Sequence, residues 1–142
     1  MNEVAIWSLE EQFWMEAAIY YQSALDPECI MGFPAPVGII VGKAILESLA
    51  QAPRWAAIEM GECGLVRPTP DLIALGYRAR ATRRGAEPYQ AFCTSCYRAS
   101  LGGWKLFQHH QSPDRLRSRV GLSPIDARLG LECARGDKGA LE

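Results

Sequence analysis

Residues 89–113 read Tyr-Gln-Ala-Phe-Cys-Thr-Ser-Cys-Tyr-Arg-Ala-Ser-Leu-Gly-Gly-Trp-Lys-Leu-Phe-Gln-His-His-Gln-Ser-Pro. Two apolar and aromatic runs flank the break Leu101-Gly102-Gly103, the signature of an antiparallel hairpin with a glycine-supplied turn. The stretch predicts two long paired strands. An isolated hairpin is marginal in water, so the rest of the chain must supply neighbouring strands and a covering layer.

The first half supplies the cover. Asn2 is placed to cap a helix, and Ile6, Leu9, Phe13 and Ala17 follow at helical spacing with Trp7 and Trp14 beside them. This predicts an amphipathic helix with a broad aromatic stripe, in which Glu10, Glu11 and Gln12 form the wet face. A second helical segment, residues 16–24, carries Ile19, Tyr20 and Tyr21 and stops at Asp26-Pro27, because proline disfavours helical geometry in the residue before it. Cys29 to Met31 reads as a short strand, 32–36 as a turn and 37–41 as the return strand of a small hairpin. Gly42 and Lys43 open a third helix over 44–52, with Ile45, Leu46 and Leu49 inward and Pro53 at its end.

Strand then follows strand. Residues 55–66 lead to the turn Pro68-Thr69-Pro70-Asp71, and 72–83 return with Ile73, Leu75, Tyr77, Ala79 and Ala81 on one face and Arg78 and Arg80 on the other. Gly85-Ala86-Glu87-Pro88 turns the chain into the final hairpin. Three helices first and long antiparallel strands last make an α+β pattern, with the helices on one face of a curved sheet of five or six strands. Residues 1–113 form this domain. Residues 114–142 have scattered arginines, glycines and isolated leucines and cannot build a core, so they read as a tail, with Leu116, Val120, Leu122, Ile125, Leu129 and Leu131 able to dock short helical pieces on the domain or on a second subunit.

Composition narrows the function classes. A net charge of -1 with 22% charged residues gives no electrostatic ground for nucleic acid or an anionic membrane. No run approaches the ~18 apolar residues of a membrane span, and Met-Asn-Glu-Val lacks the character of a secretory leader. A cytoplasmic location is the expectation. Five cysteines without framework spacing then read as thiols packed as small apolar groups.

Cys93-Thr94-Ser95-Cys96 matches a redox or zinc pattern in letters only, since strand residues three apart point to opposite faces. No metal or cofactor is expected. His109 and His110 diverge on a strand, so one of them at most looks into a pocket; the rest is a hydrogen-bonded interior histidine beside a surface one. Tyr89, Cys93, Ser95 and Tyr97 alternate onto one strand face, and many tyrosines and tryptophans together suit a cavity with polar tips. Arg83 and Arg84 before a glycine turn read as a solvated rim rather than an anion site.

The Tyr-x-Ala run ending in Ser95-x-Tyr97-Arg98, the Gly103-Trp104-Lys105-Leu106 turn and the closing His109-x-Gln111-Ser112-Pro113 resemble the last hairpin of an uncharacterised branch of the nuclear transport factor 2-like superfamily. Phe13-Trp14, Met31-Gly32-Phe33-Pro34, Pro53-Arg54-Trp55 and Tyr77-Arg78-Ala79-Arg80-Ala81 extend the resemblance over residues 4–113, with Ser112 where threonine is more usual. It implies a cone-shaped α+β fold shared with SnoaL-like polyketide cyclases, ketosteroid isomerases and scytalone dehydratases, with a strongly curved antiparallel sheet and a homodimer through that sheet. It also makes His109 the inward histidine and candidate general base. The catalytic carboxylates of ketosteroid isomerase are not matched: Gly32 or Phe33 falls where the base belongs and Ser95 where the acid belongs. The leading expectation is a domain that binds a small hydrophobic molecule in a pocket of Trp14, Tyr21, Tyr89, Ser95, His109 and Gln111. The alternatives are a cyclase- or dehydratase-like lyase or isomerase acting on a hydrophobic cyclic substrate, and an interaction module with a filled core.

Overall fold

The computed structural model describes residues 2–114, so the predicted tail lies outside it apart from Asp114. Helix α1 (Glu3–Met15) starts at Asn2, whose side-chain oxygen accepts from the Ala5 N–H at 2.8 Å. This satisfies one of the donors that a helix start leaves orphaned. The chain turns extended at Glu16, resumes as α2 (Ala18–Ala24) and passes at Leu25 directly into strand β1 (Leu25–Gly32). Pro27 therefore lies inside a strand, past the helix end that it helps to enforce.

Strand β2 (Ile39–Val41) folds back on β1, and α3 (Lys43–Gln51) carries the chain across to β3 (Ala57–Thr69), β4 (Leu72–Thr82), β5 (Tyr89–Ser100) and β6 (Gly103–Pro113). The six strands form one sheet in the order β2-β1-β6-β5-β4-β3. Strands β3 to β6 are an antiparallel meander. At the tip of the last hairpin Ser100 pairs with Gly103, whose φ of 105° is open to glycine and strained for other residues.

The sheet is curved and mixed, and not antiparallel throughout as the sequence suggested, because β1 runs parallel to β6. The direction of β6 is fixed by the hairpin turns leading back from β3, whereas that of β1 is fixed by its exit from α2. No local signal couples the two. Strand β4 alternates without a fault, burying Ile73, Leu75, Tyr77, Ala79 and Ala81. Together with Ile58, Met60, Ala91, Cys93, Tyr97 and Leu106 they form the inner face that meets Ile6, Trp7, Phe13 and Trp14 of α1, Tyr21 of α2 and Ile45 of α3.

Cys93 points inward and Cys96 is half-buried on the other side, both as free thiols, as is buried Cys29. Cys63 departs from the all-thiol expectation and is disulfide-bonded. No described helix is long and apolar enough to cross a membrane.

Candidate functional site

The inner face of α1 is the place where the sequence reading fails. Glu10, assigned to the wet face, is fully buried. Its Oε2 accepts from the Tyr77 and Ser95 hydroxyls, each at 2.5 Å, and its Oε1 accepts from the Tyr97 hydroxyl at 2.6 Å. Strands β4 and β5 present these three hydroxyls because residues 77, 95 and 97 sit on the concave side of the pleat. A carboxylate set among three donors loses little by leaving water, whereas an apolar residue there would strand all three.

The network continues on both sides. Trp14 Nε1 donates to the Tyr77 oxygen at 2.8 Å. On the other side Tyr89 donates to the Gln111 carbonyl oxygen at 2.9 Å, which turns the Gln111 amide nitrogen toward His109 Nε2 at 3.0 Å. With Nε2 accepting, the ring hydrogen sits on Nδ1, which faces Ser95 Oγ at 2.7 Å and lies 3.5 Å from Glu10 Oε2. The Ser95 hydroxyl is thereby left to donate to Glu10.

Burial by itself pushes the Glu10 carboxyl up. The hydrogen bond from His109, and then those from the Ser95 and Tyr77 hydroxyls, outweigh burial and hold it below its ordinary value. Tyr77 and Tyr97 move the opposite way: burial first, and then the charge of Glu10, hold both phenols well above their usual range. They therefore stay protonated and continue to donate.

Beside this sealed network lies a cavity of about 340 Å³ between the end of α1, the loop after β1, the last turn of α3 and the entry to β5. Such a volume suits a small organic ligand. Its walls are Phe13, Trp14, Phe33, Val37, Ile40, Leu49 and Trp55, and its polar groups are Ser48, Arg54, Arg83, Tyr89 and Gln111. Trp55 stacks on Tyr89 with ring centroids 5.8 Å apart and planes within 13°, and the Arg83 guanidinium carbon lies 4.2 Å from the centre of the Trp55 ring. Guanidinium, indole and phenol thus form one pile along the wall. Arg54 ties the wall to α1, its Nη2 donating to the Phe13 and Trp14 carbonyls at 2.6 and 2.7 Å and to the Tyr21 hydroxyl at 2.6 Å. A cation there also meets the negative end of the helix.

Of the residues expected around a pocket, Trp14, Tyr89 and Gln111 line this cavity. Ser95 and His109 do not reach it; both are fully buried in the Glu10 network, one hydrogen bond behind the wall. Tyr21 lines a second, smaller cavity of about 240 Å³ with Tyr20, Tyr97, Trp104 and Lys105. His110 points outward. Glu10 had one visible signal: it lies three residues after Trp7 and four before Trp14, on the stripe that the aromatic spacing defines. Arg54 and Trp55 were visible only in the resemblance of Pro53-Arg54-Trp55, which names no role, since a loop between a helix and a strand carries no period.

Solved structures share this architecture. One is a ketosteroid isomerase candidate from Parabacteroides distasonis, 20% identical with a TM-score of 0.63, matched over 85% of this chain and 88% of that one. Another is a nuclear transport factor 2-like protein of unknown function in nutrient uptake from Rhodospirillum rubrum, 17% identical with a TM-score of 0.64, matched over 79% of this chain and 98% of that one. A third is the association domain of the calcium/calmodulin-dependent kinase II of C. elegans, 15% identical with a TM-score of 0.58, matched over 76% and 89%. The chain therefore has the nuclear transport factor 2-like fold, three helices on a curved six-stranded sheet. No protein-family model matches the sequence and no curated protein does. Likeness at this identity carries the fold and leaves function to the site.

Proposed function

We propose that the chain is a small-molecule-binding domain whose ligand occupies the cavity walled by Trp14, Trp55, Phe33 and Tyr89. The observation that carries this reading is a partly open hollow with mostly apolar walls and a few fixed polar groups, the usual composition of a ligand site. Binding is favoured over catalysis by what the wall lacks. Among the described residues no carboxylate, histidine or thiol lines it, and His109, which lies beside the Glu10 carboxylate, is sealed behind Gln111 with both ring nitrogens engaged. A general base has to come within hydrogen-bond reach of the proton it takes. The cavity itself counts against a cone filled solid for protein interaction.

A plug separates these readings. In thermal-shift measurements against a library of apolar and aromatic metabolites, the best ligand is expected to stabilise the native protein by about 2–3 kcal/mol at a hundredfold excess over its dissociation constant. Ala52→Trp places an indole in the cavity mouth from an exposed position at the end of α3. That variant is expected to fold and to lose the shift. Retention of the shift in the plugged protein would place the ligand elsewhere.

A homodimer through the outer face of the sheet is the second part of the proposal. On that face Phe92 and Ile30 are 40% and 44% exposed, and Val41 beside Ile30 is 56% exposed. Burial of these side chains against a second copy would remove their apolar surface from water, which supports the reading. Sedimentation should give about twice the chain mass, and Phe92→Asp should give the single mass with helix content unchanged. A wild-type chain that sediments as a monomer at 50 µM (roughly fiftyfold above the ~1 µM dissociation constant of a moderate dimer) would rule this out.

A further inference from the structure

Three of the described arginines are paired with carboxylates, and the two that line the cavity are not. On the sheet, Arg78 pairs with Asp114 at 2.9 Å, Arg80 with Glu59 at 3.7 Å, and Arg98 with Asp26 at 2.6 Å and Glu28 at 3.7 Å. Arg54 and Arg83, the two that line the cavity, have no carboxylate partner among the described residues. Arg54 goes further. Its Nη2 is committed to Phe13, Trp14 and Tyr21, while its Nε is buried without any acceptor, the one such side-chain atom among the described residues. Arg83 lies over the Trp55 ring, and its Nη1 has only a long 3.4 Å contact to the Pro53 carbonyl among the described residues. Gln111, the remaining polar group at the inner end, has its amide fixed between Tyr89 and His109.

We propose that the cavity is selective for organic carboxylates, the acid group taken by Arg54 and Arg83 and the apolar body packed among Trp14, Phe33, Trp55 and Leu49. This rests on the ligand-binding reading given above and names the ligand class that site takes. The chemistry is specific. A guanidinium offers planar, paired donors that match a carboxylate's two oxygens, and in a site of low polarity such a charge-assisted pair is stronger than one in water. A cation placed against an apolar hollow without a counter-charge costs free energy when the hollow is empty, and an incoming anion recovers that cost. Aromatic walls without an acid disfavour amines, which would meet two positive charges at the mouth. A neutral ligand of the same shape would fill the hollow and leave the donors unanswered, so the selectivity falls on charge and not on shape.

The test uses matched pairs: 3-phenylpropanoate with 3-phenylpropanamide, and hexanoate with hexanamide. Binding is read by titration calorimetry and by the indole N–H signals of Trp14 and Trp55, both of which line this cavity. The acids are expected to bind at least tenfold more tightly than their amides, and 0.5 M sodium chloride should weaken the acids alone. Arg83→Gln should reduce acid affinity about tenfold and change amide affinity less than twofold; this variant touches no hydrogen bond that holds the helices. Arg54→Lys keeps the charge, loses the fork and should likewise narrow the advantage of the acid over the amide. Equal affinity of acid and amide, with Trp14 and Trp55 signals moving, overturns the anion inference and leaves the binding reading intact. No signal movement with any of the four compounds at roughly 10 mM, together with no thermal shift across the metabolite library, overturns both.

Discussion

Replacing Glu10 by alanine is expected to destabilise the domain by about 3–5 kcal/mol, a large share of the ~5–15 kcal/mol available to a domain of this kind. The size follows from what is left behind. Tyr77, Ser95 and Tyr97 all aim hydroxyls at the Glu10 carboxylate, and all are buried; each orphaned buried donor costs about 1–3 kcal/mol before any relaxation. Glu10→Gln keeps the shape and one acceptor and should cost roughly half as much. Gln12→Ala, on the exposed side of α1, should stay within about 0.5 kcal/mol. Urea unfolding at 25 °C, pH 7, measures all three. A loss below 1 kcal/mol for Glu10→Ala would mean that the three hydroxyls find other partners.

The same carboxylate sets an acid dependence. In the folded protein it is held below the ordinary glutamate value of about 4.3. A depressed carboxyl contributes stability that is present above its unfolded value and lost as pH falls through the folded one. The stability difference between the wild-type chain and Glu10→Gln should therefore be flat from pH 8 to about pH 5 and shrink steadily from about pH 4.5 downward. A difference that grows on acidification would reverse the assignment, with Glu10 buried as the neutral acid.

The second large effect is expected at His109. Alanine there removes a ring packed 4.5 Å from Phe13, 6.0 Å from Phe33 and 6.2 Å from Trp14, centroid to centroid, and leaves a cavity. It also strips the Gln111 amide and Ser95 of a shared partner. Cavity and unpaired groups together are expected to cost about 3–4 kcal/mol. Because both substitutions break one network, Glu10→Ala and His109→Ala combined should cost about 1–2 kcal/mol less than the two taken separately. Strict additivity in that double-mutant cycle would show that the histidine and the carboxylate act independently. His110→Ala, one residue along and outward, should be close to neutral.

Much of this molecule was legible before any coordinates. The Asn2 cap, the interruption at Asp26-Pro27, the turn at Gly102-Gly103 and the inward set Ile73, Leu75, Tyr77, Ala79 and Ala81 each depend on a few neighbouring residues, and local stereochemistry acts on neighbours. The resemblance in the last hairpin carried the fold class. The reading of Glu10 as wet failed because a helix stripe is judged by side-chain type, and type records what a residue prefers in water, not what waits on the opposite wall. Glu10 is 67, 85 and 87 positions from the hydroxyls that receive it.

What the order of residues determined by itself was the list of elements, the direction each strand presents to the core, and the α+β arrangement of helices before strands. What only the folded chain decided was which polar groups meet. The parallel seating of β6 against β1, the Glu10 network, the retreat of Ser95 and His109 behind the cavity wall and the arrival of Arg54 at the end of α1 all come from contacts between remote segments. Periodicity fixes where a side chain points, and closure of the sheet against the helices fixes what it finds there.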